Sequence, residues 1–134
     1  MTFNEIVGTL IWTAAGAVLL FVLMGADSLL TKYKDMEEMK KGNNAVIVRF
    51  VMKLGAQGYI LSRSIATSDH LAEALLVSVV SFLILFVLER VVEWALGAIG
   101  DLRLAEGVKN GIVGHGLIAG TLHAVGALII GACL

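Results

Sequence analysis

Four long runs of apolar residues, separated by short polar segments, make up most of the chain. They extend over about residues 6–26, 45–66, 71–99 and 111–134, and each contains the roughly 20 residues that a helix needs to cross a bilayer. With 58% hydrophobic and 16% charged residues, the chain lacks the polar surface that covers a soluble domain. The pattern predicts an all-α membrane protein with four transmembrane helices in one domain, residues 1–134.

The second apolar run differs from the others because it carries polar residues on one side. Arg49, Lys53 and Gln57 are spaced to share one face of a helix, opposite an apolar face. A charge in hydrocarbon costs a few kcal/mol or more, so this face must meet a partner, a cavity or the headgroups. Two interpretations remain open. The face lines a path for ions, or Arg49 reaches the headgroups while Lys53 pairs with an acid.

Acidic residues near the inner ends of the neighbouring runs are candidate counter-charges. Helical rise places Glu89 at about the depth of Arg49 and Lys53. Glu93 lies one turn further along the third run, and Asp27 closes the first. These three acids either coordinate a cation or cap and pair at the membrane interface.

The last run contains two histidines and many small residues. His115 and His123 either relay protons or serve as structural hydrogen-bonding groups, and two histidines without a nearby cysteine do not make a zinc site. No metal or other cofactor is predicted. Gly116, Gly120 and Ala124 follow the small-xxx-small spacing that lets helices approach closely in lipid. This face serves either the fold of one protomer or a homo-oligomer.

Basic residues in the connections predict the orientation of the chain. They lie between the first two runs and between the last two, as Lys32, Lys34, Lys40, Lys41, Arg103 and Lys109. The positive-inside rule then places both connections in the cytoplasm and both termini outside it.

The two halves of the chain, about residues 6–66 and 71–134, resemble each other when shifted by 66 positions. The matched pairs include Asp27 with Glu93, Asp35 with Asp101, Asn44 with Asn110 and Arg49 with His115. Because each half contains two spans, the halves would have the same orientation in the membrane, as parallel repeats do.

Several functional classes find no support in the sequence. The net charge of −1, with no basic arm or patch, gives no reason to expect nucleic-acid binding. Nucleophile motifs, phosphate-binding glycine loops and the HExxH metal motif are missing, so the chain is not predicted to be an enzyme. Its single cysteine, Cys133, is predicted to be a small buried apolar residue.

The connection over residues 32–45, and the sequence from Lys109 into a glycine- and alanine-rich last helix, resemble the YjfL family of small bacterial membrane proteins. The most specific part of this resemblance is carried by Glu37, Glu38, Lys41, Gly42, Asn43, Asn44 and Ala45. The resemblance implies a bacterial inner-membrane protein with four spans in two similar pairs, and it supplies no activity. Arg49 and Lys53 depart from it, because mainly small or apolar residues are expected there.

Together these patterns predict a lipid-embedded homo-oligomer with a polar lining for ions or small solutes. Its lining residues are Arg49, Lys53 and Gln57, and its counter-charges are the glutamates of the third run. The alternative is a membrane scaffold that recruits a soluble cytoplasmic partner through its charged connections. The mixed charges of residues 35–41, at helical spacing, predict a short surface helix for that role.

Overall fold

The computed structural model describes residues 1–30 and 34–134 of the chain. In chain order the helices are α1 (Phe3–Leu30), α2 (Asp35–Lys40), α3 (Asn44–Thr67), α4 (Leu71–Gly100), α5 (Leu104–Lys109) and α6 (Val113–Cys133). No strand occurs within these two ranges. Two residues of the sequence analysis lie outside the described residues. They are Lys32, one of the basic residues that predict the orientation, and Tyr33, in the connection that resembles the YjfL family.

Helices α1, α3, α4 and α6 are long and apolar enough to cross a membrane, which confirms the prediction of four spanning helices. The 28 residues of α1 and the 30 residues of α4 give helices of roughly 42 and 45 Å. Because a bilayer core is about 30 Å thick, both helices must tilt or extend beyond it. The short helices α2 and α5 connect the spans within each half of the chain.

The connections before α3 and α6 meet at one end of the bundle. Asn43 caps α3 by accepting a hydrogen bond from the Val46 backbone at 3.3 Å. Its side-chain amide also donates to the carbonyls of Val108 and Lys109, at 3.1 Å each. One asparagine therefore fixes the start of α3 and holds α5 beside it.

Glycines allow α6 to lie directly against α3. A Cβ atom on Gly116 would collide with the Ala45 carbonyl, and one on Gly120 would collide with the Met52 side chain. Near the other end of the pair, Gly131 faces Tyr59 in the same way. Because the order of contacts is the same along both helices, α3 and α6 run parallel, and their separation depends on small residues.

By contrast, α1 lies at the edge of the bundle. Its buried residues are Gly16, Leu23, Met24 and Asp27. Most of its other side chains, such as Phe21, face away from the protein, where lipid would surround them.

Cys133 is exposed at the end of α6, so the prediction that it is buried is wrong. The residue follows buried Gly131 by two positions, which places it on the outer face of the last turn.

Candidate functional site

Five ionisable side chains from four helices meet in the interior of the bundle. We call Asp27, Arg49, Lys53, Glu89 and His123 the charged cluster. They come from α1, α3, α4 and α6, and each residue is at most 3% exposed. Arg49 and Lys53 are one turn apart on α3, so both point toward the same side.

Each carboxylate of the charged cluster contacts two basic side chains. Arg49 donates a hydrogen bond from Nη2 to Glu89 Oε1 at 3.0 Å, and His123 Nε2 lies 2.9 Å from the same oxygen. Arg49 Nη1 lies 3.7 Å from Asp27 Oδ2, and the Lys53 ammonium pairs with that oxygen. The five side chains therefore form one continuous series, from Lys53 through Asp27, Arg49 and Glu89 to His123.

Balanced charge explains how the cluster can remain in an apolar interior. Arg49 and Lys53 supply two positive charges, Asp27 and Glu89 supply two negative charges, and His123 adds none when neutral. An unpaired ion here would lose its hydration without compensation, whereas paired ions recover much of that cost. The pairs also join α1 and α4 to α3, so the cluster has a structural role whatever its function.

The structure places Gln57, the third residue of the predicted polar face, in the same interior and adds Ser64 to this face. Gln57 and Ser64 are buried on α3, beyond Lys53. The polar face of α3 therefore points into its own protomer, toward α1, α4 and α6. Glu93, predicted as a counter-charge to α3, pairs with Arg90 on its own helix at 3.1 Å.

The other predicted residues of α6 lie outside the charged cluster. The His115 ring packs against Gly107 of α5, where a Cβ atom would collide with it. Gly116 and Gly120 contact α3, as described above. Ala124 lines a shallow groove between α3 and α6, together with Gly55 and Tyr59 among others.

Asp35 is a buried acid that the sequence analysis treated only as part of a surface helix and of the repeat. It is 2% exposed, and its Oδ1 atom is buried without a hydrogen-bond partner among the described residues. Burial raises the pKa of Asp35, although the charge of Arg49 and a hydrogen bond with Ser28 act in the opposite direction. Its neighbours in α2 are mostly charged and exposed, so the burial of Asp35 cannot be predicted from the sequence pattern.

The described residues contain no group of three or more His, Cys, Asp or Glu side chains arranged to hold a metal ion. The site consists of ion pairs and hydrogen bonds. These contacts compensate the buried charges.

Comparison with known proteins places the whole chain in one family. The family model described as Domain of Unknown Function (DUF350) matches residues 1–134. No curated protein and no solved structure matches the chain.

Proposed function

Because the chain belongs to the Domain of Unknown Function (DUF350) family, whose description names no activity, we propose a function from its geometry. We propose that this small multi-pass membrane protein moves ions, specifically protons, through the charged cluster. The observation that carries the proposal is the pair of proton-exchanging contacts that Arg49 holds side by side, Lys53 with Asp27 and His123 with Glu89. Other ions and small solutes would need a wider path.

Protons fit this site better than hydrated ions because the side chains already touch. Contacts of 2.9 and 3.0 Å at Glu89 leave no space for a hydrated ion between the groups. A proton can pass between such groups through hydrogen bonds. Lys53 can release a proton to Asp27, and neutral His123 can accept one that Glu89 has taken up, whereas Arg49 remains charged and holds both carboxylates in place.

The proposal includes a homo-oligomer in the bacterial inner membrane. Gly55 and Gly58 on α3 have no protein atoms near the position of an added Cβ. Packing within the protomer therefore does not require glycine at these positions, whereas close contact with a second copy would. In this arrangement each protomer contains its own path, and the oligomer supports the helices around it.

We also propose that the two halves are parallel repeats, with both termini outside the cytoplasm. The order of a long helix, a six-residue helix and a long helix occurs twice. The offset is 69 residues, from 35 to 104 for the short helices and from 44 to 113 for the helices that follow. Gly42 and Gly111, both with positive φ, have the same offset. This register replaces the shift of 66 and no longer aligns Arg49 with His115.

Proton flux into liposomes tests the proposed function. The full-length protein is reconstituted with a pH-sensitive dye inside, and a potassium gradient with valinomycin supplies the driving force. Glu89→Gln replaces the carboxylate shared by Arg49 and His123 with an amide that cannot take up a proton, so we expect flux to fall about a hundredfold or more, as for a lost proton-transfer group. Glu73→Gln, at an exposed position of the same helix, is the matched control and should leave flux unchanged.

The proton flux of the wild-type protein is the first test of the proposal. If it produces no more proton flux than empty liposomes, the proposal is wrong. If Glu89→Gln conducts as well as the wild type, the charged cluster is not the path.

The alternative function is a membrane anchor for a soluble cytoplasmic partner. It is favoured by the charged residues that α2 and its flanks expose, namely Lys34, Glu37, Lys40 and Lys41. Reversing the charges of Glu37, Glu38, Lys40 and Lys41 should then release the partner in a pull-down while membrane insertion is retained. A partner that remains bound would contradict this alternative.

A further inference from the structure

A groove on the outside of the bundle lies between α1, α2 and α3, away from the proton path proposed above. Its volume is about 490 Å³. Most of its lining is apolar and includes Ala17, Leu20, Phe21, Met24, Phe50 and Leu54. Because α1 and α3 are spanning helices, the groove faces the region that acyl chains occupy.

The polar groups of the groove are concentrated at one end. Ser28 and Asp35 line that end, at and just beyond the last turn of α1. From Ser28 to Ala17 the groove extends roughly 16 Å along α1, at about 1.5 Å per residue. A polar end near the membrane surface and an apolar slot toward its centre match the shape of a lipid in one leaflet.

Ser28 supplies one hydrogen bond to the carboxylate of Asp35 at the polar end, and the other buried oxygen still lacks a donor. Asp35 Oδ1 is buried and has no hydrogen-bond partner among the described residues. A buried acceptor left without a partner costs about 1–3 kcal/mol, and more when it is charged. A ligand that brings an N–H donor with a positive charge would remove this cost.

We propose that the groove binds one phospholipid with a primary ammonium headgroup, whose acyl chain lies between α1 and α3 and whose ammonium group pairs with Asp35. A quaternary ammonium headgroup has positive charge but no N–H to donate, and a glycerol headgroup has no positive charge. The site therefore selects phosphatidylethanolamine over phosphatidylcholine and phosphatidylglycerol. This inference is independent of proton movement, since it rests on other residues.

Native mass spectrometry of the full chain tests the headgroup preference. The protein is released from nanodiscs that contain phosphatidylethanolamine, phosphatidylcholine and phosphatidylglycerol in equal amounts with identical acyl chains. We expect phosphatidylethanolamine to be retained roughly tenfold over each of the others, as for one hydrogen bond to a charged group. Equal retention of phosphatidylcholine by the wild type would overturn the proposal without any variant.

Two variants with matched controls test the apolar slot and the polar end of the groove independently. Gly25 lines the groove and has open space beside it, so Gly25→Leu should fill the slot and remove bound lipid of every headgroup. Gly8→Leu, also at an open position of α1 but outside the groove lining, should retain lipid. Asp35→Asn should keep lipid but lose the preference, whereas Glu37→Gln on exposed α2 surface should keep both.

The same spectra distinguish a lipid from a second copy of the chain in the groove. If Gly25→Leu reduces the oligomeric state and leaves lipid retention unchanged, the groove is a protein interface and the lipid proposal is wrong. If it removes lipid and the oligomeric state is unchanged, the proposal is supported.

Discussion

Helices α1 and α6 have similar apolar character but attach to the bundle in different ways. In α6, 44% of the most apolar 18-residue window is buried, against 11% in α1. Glycines bring α6 into backbone contact with α3, so its position depends on shape. The most polar contact of α1 is Asp27, which pairs with Arg49 and Lys53. The position of α1 therefore depends strongly on charge.

The difference follows from the physics of helices in lipid. Lipid tails are as apolar as leucine, so burial of apolar side chains gives little net attraction between spanning helices. Close packing through small residues and pairing of polar groups supply the attraction instead. Two helices of similar apolar character can consequently be attached to the bundle in different ways, and substitutions should distinguish the two kinds of attachment.

The largest expected loss of stability comes from disrupting the ion pairs that attach α1 to the bundle. Arg49→Met removes one cation and leaves the charges of Asp27 and Glu89 poorly compensated in the interior. Breaking a buried ion pair in this way costs about 3–5 kcal/mol of unfolding free energy. Equilibrium unfolding of the purified protein in mixed detergent measures the loss. Arg103→Met, at an exposed position beyond the end of α4, should change stability by no more than about 0.5 kcal/mol.

A double variant shows whether the loss of stability in Arg49→Met comes from unbalanced charge. Arg49→Met combined with Glu89→Met removes one charge of each sign and leaves Lys53 paired with Asp27. Replacing a buried pair by apolar side chains is often neutral, so the double variant should be more stable than Arg49→Met alone. If the stability lost in the double variant equals the sum of the losses in Arg49→Met and Glu89→Met, the two residues are not coupled.

The attachment of α6 should respond more strongly to side-chain volume than to charge. Gly116→Ala places a Cβ atom against the Ala45 carbonyl, and the helices must separate to accept it. Such overpacking costs about 1–3 kcal/mol in the same unfolding assay. Gly114→Ala is the matched control on α6, because nothing lies near the added atom and alanine favours a helix. Equal effects of the two substitutions would show that contact with α3 does not limit stability.

The sequence predicted the spanning helices well because hydropathy depends only on composition within each run. Arg49, Lys53 and Gln57 were also placed on one face correctly, since helical periodicity fixes which residues share a side. The contacts of that face were harder to predict. Depth along the helices indicates Glu89 as a counter-charge, whereas the pairing of Asp27 depends on how α1 packs against α3, which the periodicity of α1 does not predict.

Asp35 shows a second limit of sequence reasoning. A charged residue among charged neighbours predicts an exposed helix, and Met36, Glu37 and Lys40 of α2 follow that prediction. The burial of one member of the set depends on where the short helix meets α1 and α3, which is a property of the assembled bundle.

The smallest expected effect tests whether the burial of Asp35 between α1 and α3 also depends on charge. Burial raises the pKa of Asp35, so the folded protein holds this proton more tightly than the unfolded chain does. The stabilisation is complete below the unfolded pKa of about 3.9 and is lost as pH rises through the higher folded value.

Asparagine does not titrate. Asp35→Asn should therefore gain stability relative to the wild type as pH is raised from about 4 to 8, without phosphatidylethanolamine present. Thermal unfolding in detergent across this range measures the difference, and Glu37→Gln on the exposed side of α2 is the control. Two groups oppose this rise in the pKa of Asp35, namely the charge of Arg49 on α3 and the hydrogen bond with Ser28 on α1. If the difference has the opposite sign, the attraction of Arg49 exceeds the cost of burial, and the carboxylate itself helps to hold α2 and α1 against α3.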